Sequence, residues 1–443
     1  MKPIVPALLA GLAVLPTATL AQEHDHAAME DSPTPAMTDM TDMPDMPDMP
    51  GMDHSRMNQA TPAPAPDAVW SPGSGTARLP GAEGAMAGLH VMAGDWMLMA
   101  HGYVSAQYTG HSGPRGGDKG YVTSMAMLMA GRETGFGRVQ LRSMLSLEPL
   151  MSNRGYPNLF ATGETADGEP LVDRQHPHDL FMELAARIDL NVARDTSAFL
   201  YGGPVGEPAL GPTAFMMRKS SRFNPEAPIA HHWFDSTHIT YGVVTAGLSS
   251  PKWQLEASAF RGAEPDERRW NIESPKLDSW SVRATWTPAP AWALQASYGQ
   301  IHQPEALHPG EDEHRFTASA HYASKGGVSA MLAFSAKDRV PGRTLTAWLA
   351  EANWDIDAAN SLFGRAETVA NDEFFPDHED PLHDRAFRVA KIQAGYARRI
   401  DLAPFTLALG GSLNGYLKPA TLDAVYGRNP WGYTLFARLM LGG

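Results

Sequence analysis

The sequence contains no cysteine, and this absence excludes disulfide bonds and thiolate metal sites. After its first residues it also lacks any run of about 18 consecutive apolar residues, so no membrane-spanning helix is predicted. Clustered Lys and Arg are missing too, and the formal net charge of -14 argues against nucleic acid as a partner. Cohesion must therefore come from apolar burial or from a closed ladder of strand hydrogen bonds.

The N-terminus has the layout of a secretory signal peptide. Lys2 precedes an apolar run over residues 4–15, and small residues ending in Ala21 stand before the polar Gln22. Residues 1–21 are therefore assigned to a signal peptide, and the exported protein is expected to begin near Gln22.

Residues 22–94 are predicted to be a disordered tail and linker. They are rich in Pro, Asp, Met and Ala and poor in β-branched and aromatic residues. Such a composition cannot bury enough apolar surface to offset the entropy lost on ordering. The tail is therefore interpreted through its side-chain chemistry and not through a fold.

Methionine recurs every third residue over part of the tail, with histidines on either side. Thioethers are soft donors that favour Cu(I), and imidazoles suit Cu(II). A solvated spacer made by repeat slippage is the alternative interpretation. No organic cofactor is expected. The predicted copper ligands are His24, His26, Met37, Met40, Met43, Met46, Met49, Met52, His54 and Met57.

The segment 51–57, together with the methionine repeats before it, resembles the tails of the copper-resistance B family of outer-membrane proteins. The resemblance extends over about residues 23–57 only. It implies copper tolerance in the periplasm or the outer membrane, with Met and His side chains as ligands. Copper ions and periplasmic copper carriers are the partners that this resemblance implies.

From residue 95 onward, short segments alternate apolar and polar residues. Between Leu180 and Val192 every second residue is apolar, which is the pattern of a strand with one apolar face. Residues 95–443 are therefore predicted to form an all-β, transmembrane antiparallel barrel surrounded by outer-membrane lipid. A soluble β-sandwich, whose apolar rows would face a second sheet, is the alternative.

Short and long connections alternate along this region, as they do in outer-membrane barrels. About seven short and eight long connections predict about 16 strands, with both ends of the barrel on the periplasmic side. A barrel of this size leaves room for a channel unless loops fold inward. The long connection over residues 202–235 is the candidate for such a plug.

A second group of histidines falls in or beside the predicted external loops. His176 and His178 are the candidate metal ligands of the barrel, because alternate residues of an extended chain point the same way. Loop-packing histidines that bond backbone groups and carboxylates are the alternative. The other members of the group are His231, His232, His238, His302, His308, His314, His378 and His383.

Charged residues at alternate strand positions predict a charged lumen in which acids and bases satisfy one another. The predicted inward residues are Arg142, Glu148, Glu183, Arg187, Asp189, Glu256 and Arg283.

The predicted function is a non-enzymatic outer-membrane barrel, porin-like or transport-associated, with a copper-binding periplasmic tail that acts in copper tolerance. Two alternatives stay open. One is an outer-membrane hydrolase of phospholipase type that uses Ser236 and His238 beside Asp235. The other is a general porin with no metal role.

Overall fold

A computed structural model describes residues 68–442 of the chain. The predicted signal peptide, residues 1–21, lies outside the described residues, and so does the part of the tail that carries the predicted copper ligands from His24 to Met57. Among the described residues, no helix combines the length and the apolar character needed to cross a membrane.

Sixteen antiparallel strands close into one barrel, which confirms the all-β fold predicted from the alternating pattern. The last strand pairs with the first, from Gly432 beside His111 to Leu441 beside Gly102. A short extra strand, Leu89–Ala93, pairs with the start of the first strand. The barrel strands are β1 (Trp96–His111), β2 (Asp118–Thr134), β3 (Gly137–Leu145), β4 (Phe181–Ala193), β5 (Thr196–Gly206), β6 (Thr240–Ser249), β7 (Trp253–Phe260), β8 (Ser279–Ala289), β9 (Trp292–Ile301), β10 (Asp312–Ala323), β11 (Val328–Val340), β12 (Thr344–Asp355), β13 (Asn360–Asn371), β14 (Phe387–Leu402), β15 (Phe405–Leu417) and β16 (Trp431–Leu441).

Each strand buries alternate side chains in the lumen and leaves the others on the outside. On β2, Met125 and Met127 are 2% and 0% exposed, whereas Val122 and Leu128 are 50% and 59% exposed. Exposed Leu, Val and Trp side chains recur on the outside of the other strands. A closed ladder with an apolar outer surface is suited to lipid and not to water, so the barrel spans a membrane and is not a soluble sandwich.

Seven connections join the strands at one end of the barrel and eight at the other, and we call these the turn end and the loop end. The predicted order of connections is confirmed, but the one between β11 and β12 is shorter than predicted. It has only residues 341–343, because β11 extends to Val340 and β12 starts at Thr344. The two longest connections are loop A, residues 146–180, and loop B, residues 207–239.

Loop B folds into the lumen and contacts distant parts of the wall, as predicted for the inward plug. Its Gly211 donates a backbone hydrogen bond to Ser297 on β9 over 2.9 Å. Arg218 of the same loop donates to Glu351 on β12 over 2.6 Å. Glu226 accepts from Asn414 on β15 over 3.1 Å. The loop therefore crosses the barrel from one side of its wall to another.

Residues 68–94 are ordered, and the prediction that they belong to a disordered linker is wrong. Two short strands, Trp70–Pro72 and Arg78–Pro80, pair with each other. Arg78 donates to the Ser249 hydroxyl over 2.6 Å, and Arg142 of β3 donates to the Gly75 carbonyl over 2.6 Å. The polar barrel wall supplies hydrogen bonds that help to order this segment, in addition to the burial of its Ala77 and Leu79.

The predicted charged lumen is confirmed as a set of ion pairs. Five of the seven residues are buried and Arg187 and Asp189 are half-buried, and the pairing satisfies charges that would otherwise be costly to remove from water. The shortest separations in the predicted set are Arg187–Asp189 at 2.8 Å, Arg283–Glu256 at 2.9 Å and Arg142–Glu183 at 3.2 Å.

Candidate metal centre

Five buried histidines from loops A and B meet inside the barrel, and we call them the histidine cluster. In loop B, a short helix, His231–Phe234, and a 3-10 turn, Ser236–His238, carry three of them. Trp233 and Phe234 pack in an apolar core, which anchors this helix. Loop A carries the other two. The members of the cluster are His176, His178, His231, His232 and His238.

The rings of the histidine cluster are close to one another. The ring centre of His238 lies 5.2 Å from that of His231 and 5.3 Å from that of His178. His232 lies 5.4 Å from His231 and 5.9 Å from His176. Two imidazoles that share one metal ion, each at about 2.0 Å, have ring centres roughly 5 Å apart. Neighbouring rings are therefore near enough to share an ion.

Hydrogen bonds hold one nitrogen of several rings and leave the other nitrogen available. Nδ1 of His178 pairs with the Glu148 carboxylate at 2.9 Å, and Nδ1 of His231 pairs with Asp235 at 2.8 Å. Nδ1 of His238 donates to the Asp235 carbonyl over 2.6 Å. Metal-binding histidines are oriented in the same way, with the second nitrogen bound to a carboxylate or a carbonyl.

Several nitrogens on the other side of these rings have no partner. Nε2 of His178, His232 and His238 is buried without a hydrogen bond among the described residues. Buried polar atoms of folded proteins are almost always paired. Three rings of one cluster therefore present lone-pair or N–H positions that nothing in the described chain satisfies.

Carboxylates continue the cluster on the side of His232. Its Nδ1 lies 3.2 Å from Glu264 and 3.8 Å from Glu305. These three residues can bring ligand atoms within 4.8 Å of one another, and so can Glu164 with His176 and His232. Carboxylate and imidazole ligands together are common around divalent transition metals. The cluster can therefore hold an ion with nitrogen ligands alone or with mixed ligands.

Burial and neighbouring charges divide the cluster into two kinds of histidine. Burial, together with His231 and His178, lowers the pKa of His238 to about 3. At His232 burial opposes the charged form, but Glu264 and the other acids outweigh it and raise the pKa of His232 to about 9. His238 is therefore neutral at pH 7 and ready to act as a ligand, because a metal ion binds the unprotonated ring.

The structure brings together only part of the predicted histidine group. His176 and His178 both belong to the cluster, with ring centres 6.4 Å apart, and their role as ligands stays a prediction. His308 joins Glu305 and Glu373 in a neighbouring group. The remaining members lie apart from the cluster: His302 is bound to Asp312, His314 packs beside Tyr298, and His378 packs beside His383.

Sequence reasoning did not select the acids that surround the cluster as site residues. Glu148 was predicted only as a lumen charge, and Glu164, Glu264 and Glu305 were not singled out. They come from three different connections, and no spacing links them to the histidines. Their position in predicted loops was the one signal that pointed toward them.

The contacts of Ser236 and His238 differ from those of a catalytic triad. The Ser236 hydroxyl accepts a hydrogen bond from Arg315 over 2.9 Å. The Asp235 carboxylate is paired with His231, and His238 is bound to the Asp235 carbonyl instead. A hydrolase needs the base bound to the nucleophile and oriented by the acid, so these contacts do not favour the phospholipase alternative.

Comparison with known proteins adds information on the fold alone. No protein family and no curated protein matches the chain. The chain is similar to the structure of Salmonella typhi OmpF in complex with daunomycin, with a TM-score of 0.50, 8% identity, and coverage of 79% of this chain and 100% of that chain. An anion-selective porin from Comamonas acidovorans is similar with a TM-score of 0.48, 12% identity, and coverage of 78% and 100%. The first of these likenesses shows a porin-like barrel fold.

Proposed function

We propose that the protein is an outer-membrane barrel that binds copper ions in its lumen and in its periplasmic tail, and that it serves copper tolerance. The histidine cluster carries the proposal, because Nε2 of His178 and Nε2 of His238 are buried without a partner among the described residues. Each such atom costs about 1–3 kcal/mol. A metal ion bound at these nitrogens would recover that cost.

The donor atoms favour copper over other metals. Imidazole nitrogens suit Cu(II), although they also bind Zn and Ni. The thioethers predicted as tail ligands suit Cu(I) and are poor ligands for Zn, Ca or Mg. Copper is the metal that both sets of donors accept, so copper binding accounts for the histidines of the lumen and the methionines of the tail together.

Thioethers are also present inside the barrel, next to the histidine cluster. Met127 of β2 and Met144 of β3 are buried and directly opposite each other in the ladder. Met216 and Met217 of loop B pack against the same apolar group. The residue before them, Phe215, lies with its ring centre 5.9 Å from that of His178. Soft donors thus adjoin the imidazoles, and this supports copper as the ion.

The tail is proposed to take up Cu(I) through several thioethers at once. In an extended chain of about 3.1 Å per residue, methionines three residues apart place their sulfurs roughly 9 Å from one another. Neighbouring sulfurs can share an ion only if the chain bends around it. Ordering the chain costs entropy, so each tail site is expected to be moderately tight and quickly exchanged.

The filled lumen favours capture of ions over free diffusion through a wide pore. Loop B crosses the barrel, and the segment around Arg78 occupies the lumen beside β3 and the turn after β6. An aqueous porin channel needs this space to be open. The general porin with no metal role is therefore the less well supported alternative, and low conductance in a planar bilayer is expected.

The test is copper binding by the purified mature protein in a nonionic detergent. The double variant His178→Gln and His238→Gln keeps neutral polar side chains but removes two imidazoles. We expect it to lose about one Cu(II) per chain and the nitrogen signature of that ion in electron paramagnetic resonance, as expected from loss of two ligands. Heat-modifiable migration on gels checks that the barrel still folds.

The matched control is His302→Gln, a loop histidine whose side chain is 42% exposed and bound to Asp312. This variant should bind as much Cu(II) as the parent. If the double variant also keeps the copper content and the spectrum of the parent, the cluster is not a copper site and the proposal fails.

A further inference from the structure

A cavity of about 350 Å³ in the lumen is lined by residues of loop B but by no member of the histidine cluster. Its wall includes Gly102 at the start of β1 and Leu441 at the end of β16, so it belongs to the turn end. We call it the turn-end cavity. Its apolar lining is made of Pro72, Leu79, Met86, Met216, Met217 and Met440.

Four cations also line the turn-end cavity: Arg218 is paired with Asp235 and Glu351, and the other three are poorly compensated. Within residues 68–442, Arg438 and Lys219 have no carboxylate within the 4.0 Å of an ion pair. Arg222 reaches Asp355 at 3.7 Å, but Arg399 binds the same carboxylate at 2.7 Å. Glu83 is the acid that lines this cavity. The positive charges therefore exceed the negative charges around it.

Arg438 is the clearest case of an unmet charge. It is 6% exposed, donates to the Arg222 carbonyl, and packs 4.7 Å from the Tyr103 ring centre. Its Nε is buried and receives no hydrogen-bond partner from residues 68–442. A buried charge without a partner is strongly unfavourable, because the protein interior does not replace the lost water.

The unpaired cations of the turn-end cavity differ from the cations in the rest of the lumen. Most other buried cations of the described lumen form ion pairs with carboxylates. Such pairs are Arg142–Glu183, Arg218–Glu351, Arg283–Glu256, Arg315–Glu313, Arg365–Glu351, Lys337–Glu305 and Lys391–Glu226. Arg78 lacks an ion pair but donates from all three of its nitrogens. An anion from outside the described chain is what the turn-end cavity lacks.

We propose that the turn-end cavity binds a small amphipathic anion, an organic carboxylate or phosphate monoester, whose charged group pairs with Arg438 and Arg222 and whose apolar body lies on the methionines. A cavity of this volume is within the range that proteins use for small ligands. Arginine pairs with both carboxylate and phosphate through parallel hydrogen bonds. Methionine side chains adapt to apolar ligands of different shapes.

The test is calorimetric titration of the copper-free mature protein in a nonionic detergent with four probes. These are octanoate, octyl phosphate, inorganic phosphate and the neutral octanol. We expect octanoate or octyl phosphate to bind, inorganic phosphate to bind more weakly, and octanol not to bind measurably. The stronger of the two amphiphiles identifies the charged group.

Arg438→Gln should weaken the amphiphilic anion at least tenfold, because it removes a charge-assisted hydrogen-bond donor. Arg438→Lys, which keeps the charge, should recover part of the affinity and shows that the barrel tolerates a change at this position. Arg388→Gln, on the exposed side of β14, is the control and should bind like the parent.

Equal binding of octanoate by the parent and by a folded Arg438→Gln variant overturns the proposal. So does equally tight binding of octanol or of inorganic phosphate, since either result removes one half of the amphipathic recognition. The variant His178→Gln with His238→Gln should bind the anion normally, so failure of this proposal and failure of the copper proposal are distinguishable.

Discussion

The two ends of the lumen differ in charge although the same loop helps to build both. Toward the loop end, neutral and charged histidines are surrounded by acids such as Glu148 and Glu264. At the turn end, Arg438 and Lys219 line a cavity without carboxylate partners in the described chain. The difference teaches that one filled barrel can surround its proposed cation site with acids and leave cations without carboxylates at its proposed anion site.

Loop B is the element that both ends share. Its His231 and His238 belong to the histidine cluster, and its Met216, Lys219 and Arg222 line the turn-end cavity. Displacement of loop B should therefore abolish both sites together, whereas changes at either end should affect one site.

The largest effect is expected from Glu226→Gln, which breaks the anchor of loop B on the wall. Glu226 is buried and binds Lys391 of β14, Asn414 of β15 and Thr434 of β16. The variant leaves Lys391 buried without its counter-charge, which costs about 3–5 kcal/mol. We expect a lower unfolding midpoint in urea and loss of both copper and anion binding.

The control for this experiment is Glu133→Gln, at an acid on the surface whose side chain is 79% exposed. Exposed ion pairs contribute about 0–1 kcal/mol, so its midpoint should stay close to that of the parent. If Glu226→Gln loses only one kind of binding, loop B does not couple the two ends.

Acid should weaken the same anchor in the parent protein. Burial alone would raise the pKa of Glu226, but Lys391 and its hydrogen-bond donors outweigh burial and lower it from 4.5 to about 2. A lowered pKa means that the stabilisation is fully present above pH 4.5 and is lost as the pH falls toward 2. The shift corresponds to about 3 kcal/mol of stability.

The measurement is the unfolding midpoint in urea between pH 6 and pH 2 for the parent and for Glu226→Gln. The difference between the two proteins should shrink as the pH falls, because the parent loses the charge that the variant lacks from the start. A difference that stays constant over this range would contradict the assignment of the anchor.

The smallest structural effect is expected from the tail, which should change binding without changing the barrel. Leucine in place of the repeated methionines keeps their bulk and removes the thioether donors. Mature protein with this change should bind fewer Cu(I) ions per chain but the same Cu(II) in the lumen, and its unfolding midpoint should not move. The positions to be changed are Met37, Met40, Met43, Met46, Met49 and Met52.

Competition with a Cu(I)-specific chelator measures this difference directly. A leucine variant that titrates like the parent would show that the thioethers are not ligands. Copper binding by the tail would then depend on His24, His26 and His54.

Much of the barrel could be predicted because its rules act over short distances in the chain. The alternation between Leu180 and Val192 predicts a strand, and β4 is observed at Phe181–Ala193. The alternation of short and long connections predicts the strand number, since each strand must reverse direction at the membrane surface. The spacing of His176 and His178 predicts that their side chains lie near each other, and their ring centres are 6.4 Å apart; their role as ligands stays a prediction.

The composition of residues 68–94 was a poor guide for the opposite reason. Gly75 and Arg78 find their hydrogen-bond partners, Arg142 and Ser249, on the barrel wall, far away in the sequence. Composition indicates how much apolar surface a segment can bury by itself, but it does not indicate the hydrogen bonds that distant residues of the barrel wall donate or accept.

The sequence by itself determined the closed, lipid-facing barrel, because each strand's outward row and each backbone hydrogen bond must be satisfied in a membrane whatever lies inside. It did not determine which lumen groups meet. His178 reaches Glu148 and His238, and Arg438 reaches no carboxylate in the described chain, only after closure places loops A and B against the wall. Pairing inside the lumen is a long-range property of charge and distance, so only the tertiary structure decided it.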